Sequence, residues 1–153
     1  IPVSGTYFVL ATRAGEAEGQ TEGSFVIELN GRPGITGGQS LEILYDTTVS
    51  GVIGDQVVAE EYVFMGYEGD TIRISMNRAS GDLDPLVTLY DSERKQIAFD
   101  DDGGGDRNAR IAQFVLPRDD MYIILASRYD RELGTTSGAY VLNLELIRSG
   151  GGH

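Results

Sequence analysis

Apolar and polar residues alternate along much of this chain. Ile72, Ile74 and Met76 interleave with Arg73, Ser75 and Asn77, and Tyr140, Leu142, Leu144 and Leu146 interleave with the more polar Asn143 and Glu145. Such alternation puts one set of side chains on each face of an extended strand, so both segments predict strands with one buried face. Short apolar runs at Val57–Met65, Leu86–Asp91, Gln96–Asp100, Ile111–Leu116 and Met121–Ser127 predict further strands. Between them lie turn-forming residues: Glu68-Gly69-Asp70, Ser80-Gly81-Asp82, Asp91-Ser92-Glu93, Asp102–Gly105 and Ser137-Gly138. No segment keeps a helical period over three turns. Short strands at this spacing predict an all-β chain folded as an antiparallel sandwich.

The pattern also repeats. Pro2–Leu29 aligns without a gap on Pro117–Leu144, with Tyr7 on Tyr122, Leu10 on Leu125, Ala11 on Ala126 and Arg13 on Arg128. Gly19, Thr21 and Gly23 fall on Gly134, Thr136 and Gly138, and Val26 and Leu29 fall on Val141 and Leu144. Similarity at one fixed offset marks tandem structural units. The organisation this predicts is a pair of terminal strands from a preceding repeat over 1–30 and a Gly/Pro linker over 31–40. A complete unit then follows over 41–147, with a glycine-rich tail over 148–153. The apolar strand positions Tyr7, Val9, Phe25, Ile27 and Leu29 need a sheet to pack on. That sheet is in the same chain, in a neighbouring molecule completed by strand addition, or in the rest of a longer array.

The complete unit resembles the bacterial pre-peptidase C-terminal domain and the related collagen-binding domains of secreted collagenases. The stretches that carry the resemblance are VSGVIG (49–54), YVFMGYEGDTIRISM (62–76), GDLDPLVTLYD (81–91), IAFDDDGGGDRNARI (97–111) and MYIILAS followed by TSGAYVLNLEL (121–146). The opening segment, SGTYFVLAT followed by TEGSFVIEL, looks like the last two strands of a second copy. The chain departs from the family at Arg118-Asp119-Asp120-Met121, where a Ser-Gly-Thr-like turn is usual; Ser4-Gly5-Thr6 keeps it. The resemblance implies a jelly-roll-like β-sandwich without catalytic activity, attached to exported bacterial or archaeal proteins, secreted or at the cell surface. Some members of the family bind calcium or extracellular polymers. No aromatic collagen-binding surface carries over by motif.

Charge narrows the partners. The chain has 24 acidic and 12 basic residues, a net charge of −12. This argues against nucleic acid, which selects clustered Lys and Arg, and against an anionic membrane surface. The apolar runs are too short to insert as membrane helices. There is no cysteine, so disulfides and thiolate chemistry are excluded. The sole histidine, His153, follows a run of glycines at the end of the sequence, which leaves no placed base for a Ser-His-Asp triad. The acidic residues do offer a cation site. Asp82 and Asp84 share one turn, and Asp100, Asp101, Asp102 and Asp106 share another. Calcium takes several oxygens from flexible loops, so these six are the candidate ligands. The competing expectation is that they cap turns and solvate loops. The tyrosines at 62, 67, 90, 122 and 140 read as core residues in preference to a binding surface. Two functions follow: an assembly module built by strand exchange, with self-association and neighbouring repeats as partners, or an accessory domain of an exported hydrolase.

Overall fold

A computed structural model describes residues 40–151. Nine strands form two sheets: β1 (Leu41–Glu42), β2 (Thr47–Ile53), β3 (Ala59–Gly66), β4 (Thr71–Arg78), β5 (Pro85–Tyr90), β6 (Gln96–Asp100), β7 (Ala109–Val115), β8 (Asp120–Arg128) and β9 (Gly138–Arg148). One sheet has the order β1-β3-β8-β5-β6 and the other β2-β9-β4-β7. From β2 onward the chain crosses between sheets at every step except the β5–β6 hairpin, which is the jelly-roll arrangement. All pairings are antiparallel except that of the two-residue β1 with β3, which is parallel. The strands predicted within 41–147 are all present, β6 at the expected bounds, while the pair predicted within 1–30 lies outside the described residues; β1 and β2 were not anticipated. β2 escapes a hydrophobic reading because only Val49 and Ile53 of its inward positions are strongly apolar, the others being Thr47 and Gly51.

The period-two patterns meet between the sheets. Ile72, Ile74 and Met76 of β4 and Tyr140, Leu142 and Leu144 of β9 are fully buried, facing Tyr62, Phe64, Tyr122, Ile124, Val87 and Leu89 of the other sheet. Each such side chain contributes about 1.5–3 kcal/mol through burial. Phe64 stacks on Tyr122 at 5.6 Å between ring centroids, and Tyr45 tilts against Phe64 at 5.9 Å. Of the five tyrosines read as core, Tyr62, Tyr122 and Tyr140 are buried, while Tyr67 and Tyr90 are half-buried.

Buried polar groups tie the loops to this core. Asp70 accepts hydrogen bonds from the Tyr45 hydroxyl and from the Gly150 N–H, both at 2.8 Å, joining the β3–β4 turn to two distant segments. The unusual Arg118–Met121 stretch builds its own network. Asp119 accepts the Glu68 N–H at 2.8 Å, while Asp120 accepts the Ser92 hydroxyl at 2.9 Å and pairs with Arg118 at 3.0 Å. The Ser92 hydroxyl and the Arg118 guanidinium together lower the Asp120 carboxyl below its ordinary value.

Within the sandwich the Tyr62 and Tyr140 hydroxyls lie 2.7 Å apart and both face Glu60 Oε2, so their two protons are divided among the three contacts. Burial pushes Tyr62 up to about 12, the Glu60 carboxylate adding to the rise against a lowering bond from Tyr140. Burial, followed by the Glu60 bond, pushes Tyr140 further in the same direction. A tyrosine whose folded value exceeds the unfolded one contributes stability below pH ~10 that is lost as pH rises toward the folded value. The unfolding midpoint in denaturant should therefore fall steeply once pH passes about 10. Tyr140→Phe, already weaker at neutral pH, should show a shallower fall; an identical alkaline slope would place the titrating group elsewhere.

Candidate functional site

The acidic turns lie at one end of the sandwich. The β4–β5 turn carries Asp82 and Asp84, and the β6–β7 loop carries Asp101, Asp102 and Asp106, with Asp100 ending β6. Each carboxylate has a different occupation. Asp82 Oδ1 accepts the Ser137 N–H at 3.0 Å, and its own N–H returns to the Ser137 carbonyl at 3.1 Å. Asp100 Oδ2 accepts the Gly103 N–H at 2.6 Å and the Arg110 N–H at 2.7 Å. These two aspartates act as loop caps, the role Asp most often takes in turns.

The β6–β7 loop is further closed by Gly104 N–H to the Asn108 carbonyl at 2.7 Å and Asn108 N–H to the Gly105 carbonyl at 2.8 Å. Asn108 Oδ1 accepts the Arg78 N–H at 2.9 Å, which joins the loop to β4. Asp106 and Arg107 take left-handed backbone angles at the tip, with Asp106 exposed.

Asp84 differs from the others. Its backbone is held on both sides: its N–H donates to Thr136 Oγ1 at 3.1 Å, and its carbonyl accepts the Tyr129 N–H at 2.8 Å. Its carboxylate Oδ1 is buried and has no hydrogen-bond partner among the described residues. Pro85 biases Asp84 toward the extended backbone with which β5 begins. Burial raises the Asp84 carboxyl above its ordinary value, and the charges of Asp102 and Asp101 raise it further, against Arg107 and Arg78. The β4–β5 turn and the β6–β7 loop thus come within electrostatic reach at Asp84, Asp101 and Asp102. Among the described residues, however, no group of three or more His, Asp or Glu side chains is gathered closely enough to hold a metal ion. The strand positions Tyr7, Val9, Phe25, Ile27 and Leu29 lie outside the described residues.

Sequence reasoning missed a second polar centre. Arg128, at the end of β8, is only 2% exposed. Its Nε donates to the Arg131 carbonyl at 2.7 Å, and its Nη1 donates to the Thr136 carbonyl and to Asp55 Oδ1, both at 2.9 Å. The β8–β9 connection, including a 3-10 turn at Arg131–Leu133, folds around this side chain. The one signal available in the sequence was the recurrence of Arg128, Gly134 and Thr136 as Arg13, Gly19 and Thr21.

A shallow hollow of about 490 Å³ lies beside that connection, lined by Leu86, Phe99, Tyr129 and Leu133 with Asp101 and Asp130.

No family model and no curated protein matches the sequence. Solved structures do match. The pre-peptidase C-terminal domain of a collagenase from Bacillus anthracis superposes with a TM-score of 0.58 at 21% identity, covering 76% of this chain and 100% of that one. PliG, a periplasmic inhibitor of g-type lysozyme from Salmonella Typhimurium, gives a TM-score of 0.51 at 17% identity over 71% of this chain and 99% of that one. The chain thus shares the β-sandwich fold of a pre-peptidase C-terminal domain, as its motifs imply.

Proposed function

We propose that this chain is a non-catalytic accessory module of an exported protein, its jelly roll serving as a scaffold for loops and sheet faces. The observation that carries this reading is the agreement of ordered motifs with strand topology. The stretches that resemble the pre-peptidase C-terminal domain fall on β2 to β9, and the fold matches such a domain over its whole length. The buried polar side chains support it: Tyr62, Tyr140 and Glu60 bond one another, and Arg128 is consumed by loop carbonyls. Export is supported by the company of the fold, which includes a domain of a collagenase and a periplasmic inhibitor.

Calcium enters this reading at Asp84 alone, whose buried Oδ1 lacks a partner among the described residues; Asp101 and Asp102 act on it through their charge without being gathered into a ligand set. A cation there would satisfy the partnerless Oδ1 and relieve the repulsion among the three carboxylates. Thermal melting with calcium and with chelator tests the site. Without a cation, a carboxyl whose folded value is raised destabilises the fold above that value and ceases to do so as pH falls through it. Asp84→Asn should therefore melt slightly higher than the parent in chelator near neutral pH. Calcium should raise the melting point of the parent by several degrees and leave the variant unmoved. An equal calcium shift in both proteins would remove Asp84 from the site, and no shift in either would remove calcium from the function.

Strand exchange between repeats is the second reading, favoured by where the repeated segment maps. Pro117–Leu144 covers β8 and most of β9, and each of these strands has neighbours on both sides, one strand in each sheet. A second copy of that pair could fill an inner place in both sheets of another molecule.

A further inference from the structure

The hollow beside the β8–β9 connection brings together side chains that the fold leaves unused. Phe99 stands on β6, the edge strand of its sheet, and Tyr129 and Leu133 come from the connection that follows β8. They are 61%, 49% and 87% exposed. Asp101, Asp130 and Glu132 line the same hollow. Among the described residues none of these three carboxylates accepts a hydrogen bond or joins an ion pair, in contrast to Asp82 and Asp100, which cap their loops. The cation in the lining, Arg131, is turned onto the sheet: its Nη2 lies 3.2 Å from the Tyr90 hydroxyl and 3.4 Å from Thr88 Oγ1. Three carboxylates against one guanidinium leave the lining negative beside two exposed rings.

We infer that this hollow seats a lysine or arginine side chain of an extended peptide segment from a partner protein. The selection is by local charge and by the chemistry of the walls. Carboxylates without partners attract a cation, whatever the charge of the rest of the chain. The face of an aromatic ring binds an ammonium or guanidinium group through its quadrupole. A long basic side chain also packs its apolar stem on surfaces such as Leu86 and Leu133 while its head reaches a carboxylate, so one residue type uses both parts of the lining. A neutral sugar uses the rings and leaves the carboxylates without a counter-charge. Shape excludes a free small cation as the natural occupant. Small-molecule sites enclose most of their ligand, whereas this hollow is shallow and opens along a sheet edge, where an extended segment can lie across it.

The test uses the complete chain and a synthetic peptide, acetyl-Leu-Lys-Leu-Arg-Leu-amide. A second peptide with Gln in place of Lys and Arg, and maltotriose, serve as neutral probes. With the basic peptide, the amide signals of residues 96–101 and 129–133 should shift, and the affinity should fall as salt is added. The two neutral probes should bind about tenfold more weakly or not at all. Asp130→Asn with Glu132→Gln should weaken the basic peptide by about tenfold at an unchanged melting temperature. Glu132 is exposed, and Asn accepts the left-handed backbone that Asp130 holds at φ 60°, so neither change disturbs the fold. Both leave Asp84 intact, which keeps this test separate from that for calcium. Equal binding of the basic and neutral peptides would overturn the proposal and leave an apolar contact. Tighter binding of maltotriose would overturn it in favour of a sugar site. A basic peptide that shifts no residue of the hollow at millimolar concentration would overturn it outright. If the double variant melts lower, the wild-type shifts and the comparison of the two peptides decide alone.

Discussion

Replacing Arg128 by methionine should destabilise the fold by about 3 kcal/mol. The substitution keeps much of the apolar stem and removes all of the donors. Two backbone carbonyls, of Arg131 and Thr136, then lose their bonds inside the β8–β9 connection. A hydrogen bond from a charged group contributes about 1.5–3 kcal/mol, and an acceptor left buried without a partner adds its own desolvation cost. The ion pair to Asp55 is the minor part of the loss, because that carboxylate is 89% exposed and well screened. Asp55→Asn should therefore cost well under about 1 kcal/mol. Arg128→Lys should fall between the two, since one ammonium cannot span carbonyls on both sides of the loop as a planar fork does. Urea denaturation of the three variants measures this directly. If Asp55→Asn costs as much as Arg128→Met, the arginine acts through its charge and the carbonyl clamp is not the source of stability.

The clamp also explains what the internal repeat preserves. Besides apolar positions, the identities between the two copies include Arg, Gly, Thr and Gly at the places of Arg128, Gly134, Thr136 and Gly138. A side chain at Gly134 would come within 2.3 Å of the Tyr129 carbonyl oxygen and 3.1 Å of Arg128 Nε. The repeat therefore keeps the arginine together with the space its loop leaves around it. The identities at these places fall on the residues that the Arg128 loop depends on, so the matched positions are not confined to apolar ones.

The fold was legible because its strands are amphipathic or short and apolar, with turn residues at nearly every junction. Periodicity could place Ile72, Ile74 and Met76 on one face, and they are on the core. It could not rank the faces of β8, where Met121 to Ala126 are all apolar; Tyr122, Ile124 and Ala126 face inward while Met121, Ile123 and Leu125 point the other way. A strand apolar on both sides is the usual mark of double burial, and Ile123 on the outward side is itself only 8% exposed. The acidic site was legible only as a composition. Which carboxylates cap a loop depends on which N–H groups the loop turns toward them, and that is settled by Ser137, Gly103 and Arg110, none of them adjacent to the aspartate each one bonds. Arg128 was invisible for the opposite reason: an arginine at a strand end is normally solvated, and only its recurrence set it apart.

Gly138→Ala is expected to be the most damaging single-methyl substitution in this connection, costing about 2–5 kcal/mol from steric overlap and backbone strain combined. Gly138 opens β9 at φ 155° and packs against the β4–β5 turn so closely that an added Cβ would lie 1.9 Å from the Ser80 carbonyl oxygen. That oxygen belongs to backbone and cannot swing aside. The same approach carries the bonds that hold the turn: Ala79 N–H to the Ala139 carbonyl at 2.7 Å, Ala139 N–H to Ser80 Oγ at 3.1 Å, and the Asp82–Ser137 exchange. Pushing the strands apart would loosen all of them and displace Asp84 from Thr136. The variant should thus lose stability and, where calcium binds at Asp84, the calcium-dependent rise in melting temperature as well. Gly105→Ala separates the causes. Gly105 is left-handed at φ 80° with nothing within 4 Å of an added Cβ, so only backbone strain acts there, at about 1 kcal/mol. Chemical denaturation of the two variants side by side decides the matter: a Gly138→Ala loss no larger than that of Gly105→Ala would mean that the two strands can separate at little cost, and that the contact between the β4–β5 turn and β9 does not hold the acidic end of the sandwich in place.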